Sequence, residues 1–225
     1  MRLKVRSHLR GLLAAQGYIA LNFTEGTRRR DLALARRVRR EVRLGIDYMD
    51  ACQLAMAVRQ AMRVPGDLAE VGVFEGGSAR IICENRAPGR TVHLFDTFAG
   101  IPEVSPVDAA HFSVGDWAAP LEQTRAYLSG YADVEFHPGF FPDTARPVEA
   151  VRFAFVALDV DTFQSTLAGL RFFHPRLNPG GILISDDYRW APGVRKAFET
   201  YFDDARPEPI IELGGSQALV VKVAG

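Results

Sequence analysis

The chain has 225 residues, 48% hydrophobic and 24% charged, and its 27 basic and 27 acidic side chains cancel. A chain of this length forms one medium α/β domain that needs no disulfide or zinc staple, and the composition excludes disorder, collagen and a disulfide-rich scaffold. No apolar stretch approaches the ~18 residues of a membrane span, and Cys52 and Cys83 have no metal-ligand spacing and fit a reducing, cytoplasmic compartment.

The charge is uneven, with twelve basic and five acidic side chains in residues 1–50. Arg2, Lys4, Arg6 and Arg10 ahead of the apolar residues 12–15 loosely imitate a secretory leader, but Gln16 and Gly17 interrupt the run. A surface helix or a subunit-contact arm is the better expectation. Leu32, Ala35, Val38 and Val42 give residues 32–44 a helical period. Its basic face, Arg36, Arg37, Arg39, Arg40 and Arg43, reads as a solvated surface, because no aromatic residues interleave to stack nucleic-acid bases. A second helix is expected over 48–62, ended by Val64-Pro65-Gly66-Asp67. Residues 1–47 are therefore expected to form a helical arm or lid, and 48–225 the main domain.

From residue 68 the chain alternates. Apolar strands at 68–73, 91–95, 133–137, 153–158 and 180–185 are separated by helical stretches near 77–87, 120–130, 163–174 and 192–203. Such alternation implies right-handed crossovers and a parallel sheet with helices on both faces. Phe153-Ala154-Phe155-Val156-Ala157-Leu158 is apolar throughout, as a central parallel strand is. Strands at 209–213 and 218–223 are joined only by Gly214-Gly215-Ser216-Gln217, too short for a crossover, so they form an antiparallel hairpin. A seven-stranded, mostly parallel sheet ending in one reversed strand is the Rossmann-like plan of the class I methyltransferases.

Three segments carry chemistry. In Glu70-Val71-Gly72-Val73-Phe74-Glu75-Gly76-Gly77-Ser78, the glycines permit a tight turn and close approach of a ligand at a helix start. Glu70 and Glu75 flank that turn where a phosphate loop would avoid acid, and carboxylates suit an ammonium or sulfonium ligand; a plain strand-to-helix turn has the same glycines. Asp96 closes the second strand, where an acid accepts from both ribose hydroxyls of a nucleoside, NAD or S-adenosylmethionine (SAM) alike, or caps a helix. Asp159 and Asp161, and Asp186 and Asp187, sit just past two hydrophobic strands. If those strands are neighbours, Asp159, Asp186 and Asp187 converge and need a cation; an all-oxygen set favours Mg²⁺, with Mn²⁺ or Ca²⁺ as substitutes. Separate helix caps would need one aspartate per strand end, and here there are two.

The run from Val64 to Ser78, together with Phe95-Asp96-Thr97-Phe98-Ala99-Gly100-Ile101-Pro102, Gly139-Phe140-Phe141-Pro142-Asp143-Thr144, Asp159-Val160-Asp161-Thr162-Phe163-Gln164-Ser165-Thr166, the segment 180–188 and Gly193-Val194-Arg195-Lys196-Ala197, resembles in order the motifs of the macrocin O-methyltransferase (TylF-like) family. The resemblance covers about residues 48–223. It implies SAM- and Mg²⁺-dependent methylation of a hydroxyl, often on a sugar of a natural product. By position it implies Asp159, Asp186 and Asp187 as metal ligands and Asp161 as general base. It likewise places Glu70, Gly72 and Ser78 with Asp96 along the SAM site, beside Glu75 and Gly76 of the same turn.

The connection 97–119, with Phe98, Phe112 and Trp117, reads as an acceptor lid or an ordinary packed loop. His111 and His137 are candidate auxiliary bases, His93 a core residue, and Tyr188 and Trp190 candidate acceptor contacts. The expected partner is a small hydroxyl acceptor, a glycoside or sugar, with no nucleic acid, and the chain is expected to form a homo-oligomer. A catechol-type O-methyltransferase and a non-catalytic SAM-fold binding protein are the alternatives. The hairpin and the clustered aspartates argue against a nicotinamide oxidoreductase.

Overall fold

The computed structural model describes residues 26–202 and 208–224. Two helices come first, α1 (Gly26–Glu41) and α2 (Tyr48–Ala61). There follow β1 (Asp67–Val71), α3 (Gly77–Asn85), β2 (Val92–Asp96), α4 (Leu121–Leu128) and β3 (Val134–Pro138). The second half holds β4 (Phe153–Leu158), α5 (Phe163–Phe173), β5 (Leu177–Ser185), α6 (Pro192–Tyr201), β6 (Ile211–Glu212) and β7 (Ala218–Val221). The strands form one seven-stranded sheet in the order β3-β2-β1-β4-β5-β7-β6. β1 to β5 are parallel, and β7 runs antiparallel to both neighbours. The mostly parallel class I methyltransferase sheet with its reversed C-terminal strand is thus present.

Strand alternation divides the core into two layers. Leu68, Leu94, Phe155 and Ile184 pack with Leu34, Val38, Leu54 and Ile82 from α1, α2 and α3. Ala69, Phe95, Val156 and Leu183 pack with Leu170, Phe173 and Phe198 on the opposite face. Every residue of β4 is buried, as its unbroken apolar sequence requires. β5 begins three residues before the expected position. Leu177 pairs with Phe153, the register then shifts, and Ile182 pairs with Phe155, with Gly180 at φ 83° in the irregular stretch between.

The described part of the expected arm is docked on the domain. The Arg59 guanidinium of α2 donates twice to Asp31 of α1, both at 2.7 Å, and once to Asn85 of α3 at 2.6 Å. The basic face is partly engaged: Arg37 pairs with Glu84 at 2.6 Å, and Arg39 donates to the Ile46 carbonyl at 2.7 Å while lying over the Tyr48 ring. α1 ends at Glu41, ahead of the expected 44, and residues 42–47 turn toward the sheet edge. The leader-like residues lie outside the described part. Among the described residues no helix is long and apolar enough to cross a membrane.

The topology fixes where a ligand binds. Connections leave β1 and β4 in opposite directions across the sheet, so a crevice opens at the carboxyl ends of these neighbours. The register aligns those ends: Val71 pairs with Leu158, and Leu158 with Ser185. The residues that follow, Gly72, Asp159 and Asp186, therefore stand in a row across three strands.

Candidate active site

A cavity of about 370 Å³ occupies this crevice. Its floor is made by the ends of β1, β2, β4 and β5, and its walls by the 42–47 linker and the 97–119 loop. Gly72, Ser78, Asp96, Asp159, Asp161, Asp186 and Asp187 all line it.

Gly72 has φ 87°, and a Cβ placed on it would lie 1.7 Å from the Asp159 carbonyl oxygen. Only glycine lets β1 and β4 close this tightly. Glu70 lies one step below, fully buried. Neither of its carboxylate oxygens has a hydrogen-bond partner. Burial pushes this carboxyl up to about 8, with the nearby Ser78 hydroxyl drawing it down and the Asp96 charge adding to the rise. Glu70 itself lies behind the cavity wall, and Ser78, which does line the cavity, stands beside it.

Asp96 holds the turn above Gly72. Its Oδ2 accepts from the Val73 and Phe74 amides at 2.6 and 2.8 Å, and its Oδ1 accepts from Phe98 at 2.6 Å. A carboxylate offers about four acceptor sites, so capacity is left for a ribose hydroxyl in the cavity. Glu70, Glu75 and Gly76 depart from expectation, since none of them lines the cavity. Left-handed backbone at Phe74 (φ 51°) and Gly76 (φ 83°) carries Glu75 to the outside. There it accepts from the Arg43 backbone amide at 2.7 Å and pairs with the Arg43 guanidinium at 2.6 Å. Glu75 thus fastens the linker that walls the cavity.

The acidic cluster begins at Asp159, directly beside Gly72. Asp161 and Asp187 both adopt left-handed backbone, φ 62° and 59°. Aspartate tolerates this conformation better than most residues, and it recurs at functional sites. Asp159, Asp161 and Asp187 each offer a carboxylate oxygen, all within 4.8 Å of one another. Asp186, expected as the third metal ligand, is not in this trio, where Asp161 takes its place; Asp186 stands beside it, with its Oδ1 2.8 Å from the Ser216 hydroxyl. Removal from bulk water raises the pKa of all four carboxyls, and mutual repulsion adds to the rise at Asp159, Asp161 and Asp186. Asp161 and Asp187 are hydrogen-bonded to each other, so the pair shares a proton. The causes of these shifts include acidic neighbours and no cationic side chain. An oxygen-only cluster with this much unrelieved negative charge fits a hard divalent cation.

Other contacts escape sequence reading. Trp190 Nε1 donates to Asp187 Oδ1 at 2.5 Å, and the rest of its indole packs against His111 and Phe112 of the 97–119 loop. Trp117, Phe140 and Trp190 line the cavity yet stay exposed, giving it an aromatic mouth. Asp50 of α2 is buried and accepts from the Ser216 amide at 3.1 Å, with the Ser216 hydroxyl oxygen 3.3 Å away, so the hairpin turn bridges Asp50 and Asp186. The readable trace of Asp50 was a charged residue on the apolar face of an otherwise amphipathic helix. The 97–119 loop is pinned through Asp108, which accepts from the Phe163 amide at 3.2 Å. The expectation of His137 as a base beside the acceptor is corrected: it stacks on Phe95 within the sheet face and does not line the cavity, and burial lowers its pKa. His111 also lies off the cavity lining.

Carboxyls with raised pKa stabilise the fold fully only below their unfolded values, and that contribution is lost as pH rises through the folded values. Asp50 is raised to about 6 and Glu70 to about 8, and the four cavity aspartates shift the same way. Metal-free protein is therefore expected to melt at falling temperatures from about pH 5 to about pH 9, and Mg²⁺ to restore more stability at the alkaline end. Thermal melts across a pH series with and without Mg²⁺ check this. A metal-free melting temperature that stays level or rises would contradict it.

The sequence profile of the macrocin-O-methyltransferase (TylF) family matches residues 16–216. The chain is 37% identical over 160 residues to 8-demethyl-8-(2,3-dimethoxy-alpha-L-rhamnosyl)-tetracenomycin-C 4'-O-methyltransferase of Streptomyces olivaceus, covering 64% of this chain and 61% of that one. It is 34% identical over 169 residues to mycinamicin III 3''-O-methyltransferase of Micromonospora griseorubida, covering 67% and 66%. The chain thus matches about three fifths to two thirds of the length of these curated relatives. Among solved structures it resembles the O-methyltransferase NovP, with a TM-score of 0.67, 29% identity, and coverage of 76% of this chain and 78% of that one.

Proposed function

The chain belongs to the macrocin O-methyltransferase (TylF) family, and on that premise we propose that it transfers a methyl group from SAM to a hydroxyl on a sugar of a natural product, with Mg²⁺ as metal cofactor. The observation that carries the reading is the row of Gly72, Asp159 and Asp186 across three strand ends, with Asp96, Asp161 and Asp187 lining the same cavity.

Each role follows from placement. Gly72 lets the cofactor lie against the β1 backbone, and Ser78, with buried Glu70 behind it, faces the cofactor's positively charged portion. Asp96 takes the ribose hydroxyls while holding the turn. Asp159, Asp186 and Asp187 hold the divalent cation, which when bound acts as a Lewis acid and lowers the pKa of a nearby hydroxyl. Asp161, within the same trio, accepts the acceptor's proton. The aromatic mouth of Trp117, Phe140 and Trp190 offers flat apolar faces to a glycoside and keeps water from the transfer. Fixing both reactants in one cavity contributes about 7–11 kcal/mol where the geometry is productive. The apolar and basic residues 1–45 support self-association, which light scattering checks.

Trp190 serves this reading twice, as a wall and as the donor that orients Asp187. Trp190→Phe keeps an aromatic face at the wall but removes the N–H along with part of the ring. It is expected to raise the Mg²⁺ concentration for half-maximal rate by about 10–100-fold, as loss of a ligand's supporting partner does; a metal titration of initial rates reads this directly. The whole assignment is tested by a labelled-SAM screen against deoxysugar glycosides and catechols, with Mg²⁺ or with chelator. Mg²⁺-dependent label on a glycoside supports it. Label on catechols alone would favour the phenolic alternative, and SAM binding without transfer to any acceptor the non-catalytic one.

A further inference from the structure

Four polar side chains gather at the outer part of the sheet, none of them lining the cavity. In the β2–β3 register His93 stands opposite Glu135. His137 lies two residues further along β3 and so on the same face. His93 Nδ1 is 3.1 Å from His137 Nε2 and 3.4 Å from Glu135 Oε2. One ligand atom from each of these three residues lies within 4.8 Å of the others. Zinc bonds of about 2.0–2.2 Å in tetrahedral geometry place neighbouring ligand atoms roughly 3.3–3.6 Å apart; the 3.4 Å spacing falls in that range and the 3.1 Å one just below it. The far nitrogen of His93, Nε2, faces Asp67 Oδ2 at 3.4 Å. That is the arrangement of a metal-binding imidazole whose second nitrogen is held by a carboxylate.

We propose that His93, Glu135 and His137 form a second divalent-metal site, distinct from the aspartate cluster and selective for zinc-class cations. Two imidazoles and one carboxylate are the donor set of Zn²⁺, Co²⁺ or Ni²⁺, whereas Mg²⁺ takes oxygen ligands. Both histidines are buried and Glu135 is exposed, so a cation enters from the solvent side of β3 and keeps a fourth position for water. β3 is an edge strand paired only with β2. Ligands from both strands therefore make the cation a clamp on that edge. An N–H···N bond between two neutral imidazoles would also explain the 3.1 Å contact, but it gives no role to Glu135.

Chelator-treated protein titrated with Co²⁺ separates the two. The expected result is the intense visible d–d absorption of tetrahedral cobalt at one equivalent, displaced by Zn²⁺ and indifferent to excess Mg²⁺. It should vanish in His137→Gln and persist in Asp187→Asn. Asp67→Asn, at a half-exposed position, is expected to weaken Co²⁺ binding about 10–100-fold. Should His137→Gln fail to fold, Glu135→Gln at an exposed position replaces it, with a loss of the tetrahedral spectrum expected. Absence of the band in the wild type, its survival in the folded ligand variant, or its loss in Asp187→Asn would overturn the proposal.

Discussion

Asp161→Asn is expected to lower kcat by about 10²–10⁴-fold, the range for losing a positioned general base, while Mg²⁺ and SAM affinities hold. Asp159→Asn is expected to be at least as damaging by a different route, with turnover and divalent-cation binding falling together. The two aspartates lie in one trio of carboxylates, so distance alone does not assign their roles; metal calorimetry beside initial rates does. Both substitutions remove a charge from a crowded cluster whose repulsion raises its own pKa values. Each variant is therefore expected to melt above the wild type without metal, which separates loss of chemistry from loss of fold. Normal turnover in Asp159→Asn, or lost Mg²⁺ binding in Asp161→Asn, would reverse or abolish the assignment.

The second large effect is in the backbone. Gly72→Ala is expected to destabilise the protein by about 2–6 kcal/mol, combining left-handed strain with overpacking. The new methyl group would meet the Asp159 carbonyl at 1.7 Å, a backbone atom that cannot swing aside. Relief requires β1 and β4 to part, which also displaces the first aspartate of the metal set. Against a total stability of about 5–15 kcal/mol this is severe. Gly89→Ala is the control: its φ is also positive, 72°, but nothing lies within 4 Å of the added methyl. Urea denaturation of the pair gives the steric part by difference, and similar losses in both would refute the close-approach argument.

The strand–helix alternation was legible because burial on both faces leaves unbroken apolar runs such as 153–158. The reversed C-terminal strand was legible because four residues between two strands admit no crossover. Asp159 and Asp186 could be placed at one edge for the same reason: strand ends are local features, and a parallel sheet collects them. What stayed hidden depends on contacts remote in sequence. Glu75 reads as a cofactor residue until Arg43, thirty-two positions earlier, is seen to hold it. Ser216 joins Asp50 to Asp186 across 166 and 30 residues. The folding of the 42–47 linker over the cavity leaves no periodic signal. The place of His137 stayed open because a histidine at a strand end looks the same in sequence whether it faces a ligand or, as here, the sheet's apolar layer.

The central claim is that carboxylates from the ends of β4 and β5 meet around one divalent ion beside the methyl donor. Its most direct test is a crystal grown with Mn²⁺ and demethylated SAM, with anomalous scattering recorded for manganese. The account predicts one strong peak bounded by Asp159, Asp186 and Asp187, with the nucleoside against Gly72 and its ribose on Asp96. Saturating Mn²⁺ with no peak at those aspartates, or a nucleoside bound elsewhere, would contradict it.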